Sequence, residues 1–118
     1  MPIKLLLADD TVMIRAAVRR ILETDPDMAV VGEAHDFPSL ELAMQGTQPD
    51  IIILDLNLAP DVTGAIANWK RQNPKLRVVI ITAFVQSTQV LPEADAFLDK
   101  LHLGERLVPT IKRLAPRS

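Results

Sequence analysis

The chain has 118 residues, of which 48% are hydrophobic and 24% are charged, and its formal net charge is −2. This length is typical of one hydrophobic core, so we expect residues 1–118 to form a single domain. The absence of cysteine excludes disulfides, thiolate metal sites and thiol nucleophiles. The apolar runs are too short to cross a membrane, no export signal is visible, and no basic block marks a nucleic-acid binder. We therefore expect a cytoplasmic protein that contacts neither a membrane nor, with these residues, DNA.

Five short apolar runs, mostly β-branched, alternate with segments of helix length. They predict strands at residues 3–8, 29–31, 51–54, 78–81 and 96–98. This alternation is typical of a doubly wound α/β protein, in which helices cover both faces of a parallel sheet.

In the segments between these strands, apolar residues recur at the spacing of a helix. The predicted first helix has apolar residues at helical spacing, namely Ile14, Val18, Ile21 and Leu22, and its polar face carries Arg15, Arg19 and Arg20. A second helix is predicted after a cap at Ser39, and a third is predicted to end before Pro74. The last helix contains Pro109, which we expect to bend the helix or to delay its start. Residues 86–91 predict only a shortened or irregular helix.

Carboxylates follow directly on two of the predicted strands. Asp9 and Asp10 come after the first strand, and Asp55 comes after the third. Because ligands of an open parallel sheet bind beyond the carboxyl ends of its strands, we expect these three side chains to meet at one edge. Neighbouring carboxylates repel each other unless a cation is present, and Mg²⁺ favours oxygen ligands. The sequence therefore predicts a magnesium site.

A hydroxyl and a cation complete the predicted site. Thr82 ends the fourth strand, and Lys100 ends the fifth. With the acidic cluster, they form a set that can attack phosphorus with a carboxylate, neutralise the phosphoryl oxygens and donate a hydrogen bond to the product. The pattern indicates phosphoryl transfer to Asp55.

These motifs resemble those of the receiver domains of two-component response regulators, over essentially the whole chain. The motifs that carry the resemblance are LLLADD, PDIIILDLNL, VVIITA and AFLDK. The resemblance implies a flavodoxin-like fold with a five-stranded parallel sheet in the order 2-1-3-4-5. It also implies that Asp9 and Asp10 bind Mg²⁺, that Asp55 binds the same ion and is phosphorylated, and that the backbone carbonyl of Asn57 completes the protein ligands.

Two further positions gain a role from the same resemblance. Thr82 and Lys100 match the residues that bind the phosphoryl group in such domains. Phe97 lies where receivers carry an aromatic residue that switches, together with Thr82, between two conformations; core packing is the alternative for Phe97. Such a domain is a phosphoacceptor that assists its own phosphorylation and dephosphorylation, and is not an enzyme with a diffusible substrate.

The segment ILETDPDMAVVGEAHDF resembles the NarL-type subfamily. This likeness implies a sensor histidine kinase as partner, a possible homodimer after phosphorylation, and control of transcription through a helix-turn-helix output domain. We expect no output domain within residues 1–118, so DNA would be bound only by an attached domain. Kinase docking is one possible role for the three arginines of the first helix, and a solvated helix face is the other.

Two other functions stay open at this point. A phosphohydrolase with an aspartyl nucleophile is one, although Asn57 stands where a second aspartate of a D-x-D pattern would act. A receiver fold that serves as an unphosphorylated interaction module is the other. Pro60 and Gly64 each lie one residue later than in the usual receiver loop, so we expect that loop to be reshaped. A dinucleotide site is excluded because no G-x-G-x-x-G follows the first strand.

Overall fold

The sheet and the helices follow the predicted alternation. The computed structural model describes residues 2–58, 62–83 and 93–116. The strands are β1 (Ile3–Ala8), β2 (Met28–Ala34), β3 (Ile51–Asp55), β4 (Arg77–Thr82) and β5 (Ala96–Asp99). The helices are α1 (Val12–Leu22), α2 (Phe37–Thr47), α3 (Val62–Gln72) and α4 (Leu103–Leu114), with short 3₁₀ turns at Leu56–Leu58 and Lys100–His102. Among the described residues, no helix combines the length and hydropathy that a membrane crossing requires.

All neighbouring strands pair in parallel, in the order β2-β1-β3-β4-β5. Side chains alternate between the two faces of β3, so that Ile51 and Ile53 join one core cluster while Ile52 and Leu54 join the other. Helices α1 and α4 cover the first cluster, and α2 and α3 cover the second. The predicted flavodoxin-like fold, with helices on both faces, is confirmed.

The aromatic residue of α3 belongs to this core. Trp69 is only 4% exposed, and its ring stacks against that of Phe37 with 6.5 Å between the centroids. Trp69 is therefore a packing residue of the core. His35 and His102, for which the sequence suggests no role, are both exposed.

The predicted start of the second helix was wrong. Helix α2 begins at Phe37, and Asp36 is its N-cap, because the Asp36 carboxylate accepts a hydrogen bond from the Ser39 amide at 2.9 Å. Ser39 completes a capping box instead, since its hydroxyl accepts a hydrogen bond from the Asp36 amide at 3.2 Å. Two residues able to cap lie three positions apart here, and the earlier one caps.

Two other boundaries also differ from the predictions. Strand β2 runs from Met28 to Ala34 and is longer than the predicted 29–31, because pairing with β1 continues to its end. The start of α4 is not delayed by Pro109, since the helix begins at Leu103 and passes through the proline. Its apolar face, with Leu107 and Ile111 fully buried on either side of Pro109, outweighs the one backbone hydrogen bond that proline removes.

The parallel register places the carboxyl ends of neighbouring strands side by side. Ala8 lies opposite Leu54, Asp55 lies opposite Ile81, and Thr82 lies opposite Asp99. Residues that follow these positions therefore meet at a single edge of the sheet. The predicted reshaping around Pro60 and the predicted shortened helix at residues 86–91 lie outside the described residues.

Candidate functional site

Three carboxylates meet at this edge, as the sequence predicts. One oxygen from each of Asp9, Asp10 and Asp55 lies within 4.8 Å of the other two. Asp9 and Asp55 are each 2% exposed, whereas Asp10 is open to solvent. Two of the three carboxylates are therefore buried, and the third faces solvent, from which a small hydrated ion can reach the cluster.

The two carboxylate oxygens of Asp9 have different partners. Its Oδ1 accepts a hydrogen bond from the Thr11 amide at 2.8 Å. Its Oδ2 is buried and lies 2.8 Å from Lys100 Nζ, which supplies both a donor and a counter-charge. One ammonium between two buried carboxylates leaves negative charge that a further cation would neutralise.

Lys100 connects the two buried acids. It is the first residue of the 3₁₀ turn after β5, which Asp99 caps by accepting a hydrogen bond from the Leu101 amide at 2.9 Å. Its Nζ lies 2.8 Å from Asp9 Oδ2 and 3.5 Å from Asp55 Oδ2. Burial lowers the pKa of Lys100, but the hydrogen bond to Asp9 and the charges of Asp55 and Asp9 together outweigh burial and raise that pKa. Lys100 is therefore a fixed cation in this site.

The surroundings of Asp55 raise its pKa. Burial raises the pKa of Asp55, and the charge of Asp9 raises it further. The Asn57 amide, which donates to Asp55 Oδ1 at 3.2 Å, and Lys100 both oppose this rise without cancelling it. An additional cation near Asp55 would therefore favour its ionised, nucleophilic form.

The donor set fits Mg²⁺. All the clustered ligand atoms are carboxylate oxygens, and the exposed Asp10 leaves room for the waters that Mg²⁺ retains. Asn57 lies in the turn directly after β3, two residues beyond Asp55. The use of its backbone carbonyl as a further ligand stays a prediction.

The two predicted switch residues lie on neighbouring strands. Thr82 is the last residue of β4 and is 4% exposed, at the same edge as the acids. Phe97, on β5, is half-buried and packs against the core cluster beneath α2 and α3. Its packing is established, and a movement linked to Thr82 stays a prediction.

One residue that contacts this site, Arg15, was not assigned to it from the sequence. Arg15 donates from Nη1 to the backbone carbonyl of Asp9 at 2.6 Å and from Nε to Glu33 Oε1 at 3.1 Å. Arg19 binds the other oxygen of Glu33, with Nη2 at 2.7 Å. Arg15 is therefore largely buried, with 16% of its side chain exposed, whereas Arg19, at 40%, lies on the solvated face of α1. The spacing of Arg15 and Arg19, one helical turn apart, was the available signal, but nothing in the sequence placed Glu33 beside them.

Comparisons with known proteins agree with the fold. Residues 5–111 match the family described as Response regulator receiver domain. The response regulator protein VraR of Staphylococcus saprophyticus is 33% identical over 101 residues, which make up 84% of this chain and 48% of VraR. The chain thus spans about half the length of the curated relatives it matches.

Solved structures share the same architecture. A LuxR-family two-component response regulator from Aurantimonas sp. SI85-9A1 superposes with a TM-score of 0.80 at 26% identity, covering 97% of this chain and 85% of that one. RcsB from Salmonella enterica serovar Typhimurium, bound to promoter P1flhDC in the presence of phosphomimetic BeF₃⁻, gives a TM-score of 0.83 at 22% identity, covering 97% of this chain and 60% of RcsB. The response regulator domain of Thermotoga maritima CheB gives 0.79 at 21% identity and covers 97% of this chain and 96% of that domain.

Proposed function

This chain belongs to the response regulator receiver domain family, and on that premise we propose that Asp55 accepts a phosphoryl group from a sensor histidine kinase in a reaction that requires Mg²⁺. The observation that carries the proposal is the close grouping of Asp55 with two other carboxylates and with Lys100 Nζ, 3.5 Å from Asp55 Oδ2. A phosphoacceptor requires such neighbours, because they bind the metal ion and neutralise the phosphoryl oxygens. An ordinary surface aspartate does not.

The roles of the side chains follow from their positions. A carboxylate oxygen of Asp55 attacks phosphorus, a bond forms between them, and the bond from phosphorus to the nitrogen of the kinase histidine breaks. Lys100 neutralises charge on the phosphoryl oxygens, and the Thr82 hydroxyl donates a hydrogen bond to one of them. Asp9, Asp10, Asp55 and the Asn57 carbonyl would hold Mg²⁺, which would supply positive charge near the carboxylate and phosphoryl oxygens.

Phosphorylation would change the surface of the domain. An aspartyl phosphate carries up to about two negative charges in place of the single charge of the carboxylate, and its oxygens attract Thr82 and Lys100 toward position 55. Inverting a 1:99 population requires about 5.5 kcal/mol of preference for one state, which several charge-assisted hydrogen bonds can supply. We propose that Phe97 moves when Thr82 is drawn toward the phosphoryl group. Thr82 ends β4, and Phe97 lies on the neighbouring strand β5, opposite Ile80 of β4.

The proposed output is homodimerisation and control of transcription in the cytoplasm. Structures of RcsB are described with promoter DNA and with BeF₃⁻, which supports a link between phosphorylation and DNA binding in the relatives. In this protein, DNA would be bound through an attached output domain outside residues 1–118. The domain itself turns over no diffusible substrate and only assists its own phosphorylation and dephosphorylation.

Intact-mass spectrometry after incubation with acetyl phosphate and Mg²⁺ tests the proposal. The unmodified chain should gain one phosphoryl group, and Asp55→Asn should gain none. Asp27→Asn is the matched control, because Asp27 is exposed at the opposite end of the sheet; it should be phosphorylated like the parent chain. Equal incorporation into Asp55→Asn, or equal incorporation with EDTA in place of Mg²⁺, would refute the proposal.

A further inference from the structure

We propose that Arg15 is a positioning residue of the magnesium site, which holds the backbone of Asp9 so that Asp9 and Asp10 point toward Asp55. The inference deepens the proposed function and rests on it. Arg15 touches no phosphoryl group or ion in this account. It acts only through the metal ligands.

The Asp9 backbone is fixed at both of its polar groups. Its N–H donates to the Ala34 carbonyl at 3.1 Å, which attaches it to the end of β2. Its carbonyl accepts the short hydrogen bond of 2.6 Å from Arg15 Nη1. Asp9 lies just beyond the last residue of β1, where sheet pairing no longer fixes the chain, so these two bonds replace the missing ladder contacts.

The carbonyl that Arg15 binds belongs to the peptide plane between Asp9 and Asp10. Because that plane is rigid, holding the carbonyl also sets the direction in which Asp10 leaves. Asp9 Oδ1 is then placed to accept from the Thr11 amide at 2.8 Å, which leaves Oδ2 facing Lys100. One arginine contact thus orients two carboxylates.

Glu33 keeps Arg15 in this position. Arg15 Nε lies 3.1 Å from Glu33 Oε1, and the Arg15 side chain is only 16% exposed. The guanidinium is planar, so contacts at Nε and Nη1 together fix its orientation. Glu33 is itself held by Arg19, which donates to Oε2 from Nε at 2.9 Å and from Nη2 at 2.7 Å. Strand β2 therefore supports the metal ligands through this chain of contacts.

Arg19 provides a matched control for Arg15. Both arginines lie one turn apart on α1 and both bind Glu33, but only Arg15 reaches Asp9. Replacing either one with glutamine removes one positive charge and the ion pair with Glu33, and Arg19→Gln also removes an exposed contact with Glu23 at 3.8 Å. A difference between the two variants then reports on the contact with the Asp9 carbonyl.

Charge and positioning predict opposite results at Arg15. A cation near the cluster repels Mg²⁺, so if only its charge mattered, Arg15→Gln would bind Mg²⁺ more tightly. If Arg15 positions the ligands, Arg15→Gln should weaken Mg²⁺ binding by about 10-fold or more, as is common when residues that orient metal ligands are replaced. Arg15→Lys keeps the charge but cannot make both contacts, and should also bind Mg²⁺ more weakly than the parent chain.

Isothermal titration with MgCl₂ alone measures these affinities, at a temperature where circular dichroism shows each variant to be folded. We expect a larger Kd for Arg15→Gln and Arg15→Lys, and a much smaller increase for Arg19→Gln, which acts only through Glu33. The amide proton of Thr11 should exchange with solvent faster in both Arg15 variants than in Arg19→Gln, because its acceptor is no longer held.

Three outcomes would overturn the proposal: tighter binding in Arg15→Gln, parent-like binding in both Arg15 variants, or equal losses in Arg15→Gln and Arg19→Gln. If Arg15→Gln does not fold, the comparison of Arg15→Lys with Arg19→Gln decides. Failure of the proposed function looks different, because then the unmodified chain itself binds no Mg²⁺ and accepts no phosphoryl group.

Discussion

Lys100 lies closer to Asp9 than to the proposed phosphoacceptor: its Nζ is 2.8 Å from Asp9 Oδ2 but 3.5 Å from Asp55 Oδ2. In this state the ammonium mainly neutralises an acid that we assign to metal binding. The negative charge of Asp55 is therefore only partly neutralised. Burial raises the pKa of Asp55, and the charge of Asp9 raises it further. The site therefore contains an excess of negative charge that Mg²⁺ would balance.

Removing the ammonium should destabilise the metal-free protein. Lys100→Met leaves Asp9 Oδ2 buried without a counter-charge, and breaking a largely buried ion pair in this way costs about 3 kcal/mol. Urea unfolding without Mg²⁺ measures the loss, which should shrink when Mg²⁺ is added.

Lys112→Met is the control for Lys100→Met. Lys112 pairs with Asp25 at 2.8 Å, but its side chain is 53% exposed, so its removal should cost much less. Equal losses in the two variants, or a loss at Lys100 that Mg²⁺ does not reduce, would contradict the charge balance described above.

Neutralising the proposed phosphoacceptor should stabilise the protein in the absence of Mg²⁺. A raised pKa means that folded Asp55 binds its proton more tightly than unfolded Asp55 does. Stability from this group is present below the unfolded pKa of about 3.9 and is lost as pH rises through the folded pKa. Asp55→Asn should therefore melt at a higher temperature than the parent chain at pH 7, and the difference should narrow toward pH 4. A lower melting temperature at pH 7 would contradict this reading.

A surface ion pair should produce the opposite pH dependence. The hydrogen bond with Lys112 lowers the pKa of Asp25, and the Asp27 amide lowers it further. Its contribution to stability is therefore present above the unfolded pKa and is lost as pH falls through the folded pKa. Lys112→Gln should reduce stability at pH 7 and have little effect once Asp25 is protonated. Chemical unfolding at a series of pH values between 2 and 7 measures this; a loss of the same size at every pH would count against it.

The cap of α2 should contribute stability independently of the site. Asp36→Ala removes the acceptor for the Ser39 amide and should lower the free energy of unfolding, because that amide loses its cap. Asp36→Asn retains a side-chain oxygen and should cost less. Urea unfolding of both variants checks this order, and neither substitution should change Mg²⁺ affinity, because the cap lies at the start of α2 and outside the acidic cluster.

Strand positions and the acidic residues were predictable because their signals are local. A wholly apolar run that ends in Asp55 places the acid at a strand end, and parallel pairing then brings it to the same edge as Asp9. Lys100 followed from the same reasoning. The helix boundary at Asp36 was less predictable, because Asp36 and Ser39 have similar intrinsic preferences for a cap and only their mutual hydrogen bonds decide between them.

Arg15 could not be assigned from the sequence for a different reason. Its contacts with the Asp9 carbonyl and with Glu33 join residues 6 and 18 positions apart, and they depend on how α1 packs beside the end of β2. Sequence periodicity shows which face of a helix is polar, but it does not show which charged partner that face meets.

The central claim is that Asp55 is the residue that receives the phosphoryl group. Borohydride reduces an aspartyl phosphate to homoserine, so treatment of the protein after exposure to acetyl phosphate and Mg²⁺ marks the acceptor covalently. Peptide sequencing by mass spectrometry should find homoserine at position 55 and at no other acid. Homoserine at position 9 or 10 instead, or none anywhere despite bound Mg²⁺, would contradict the account.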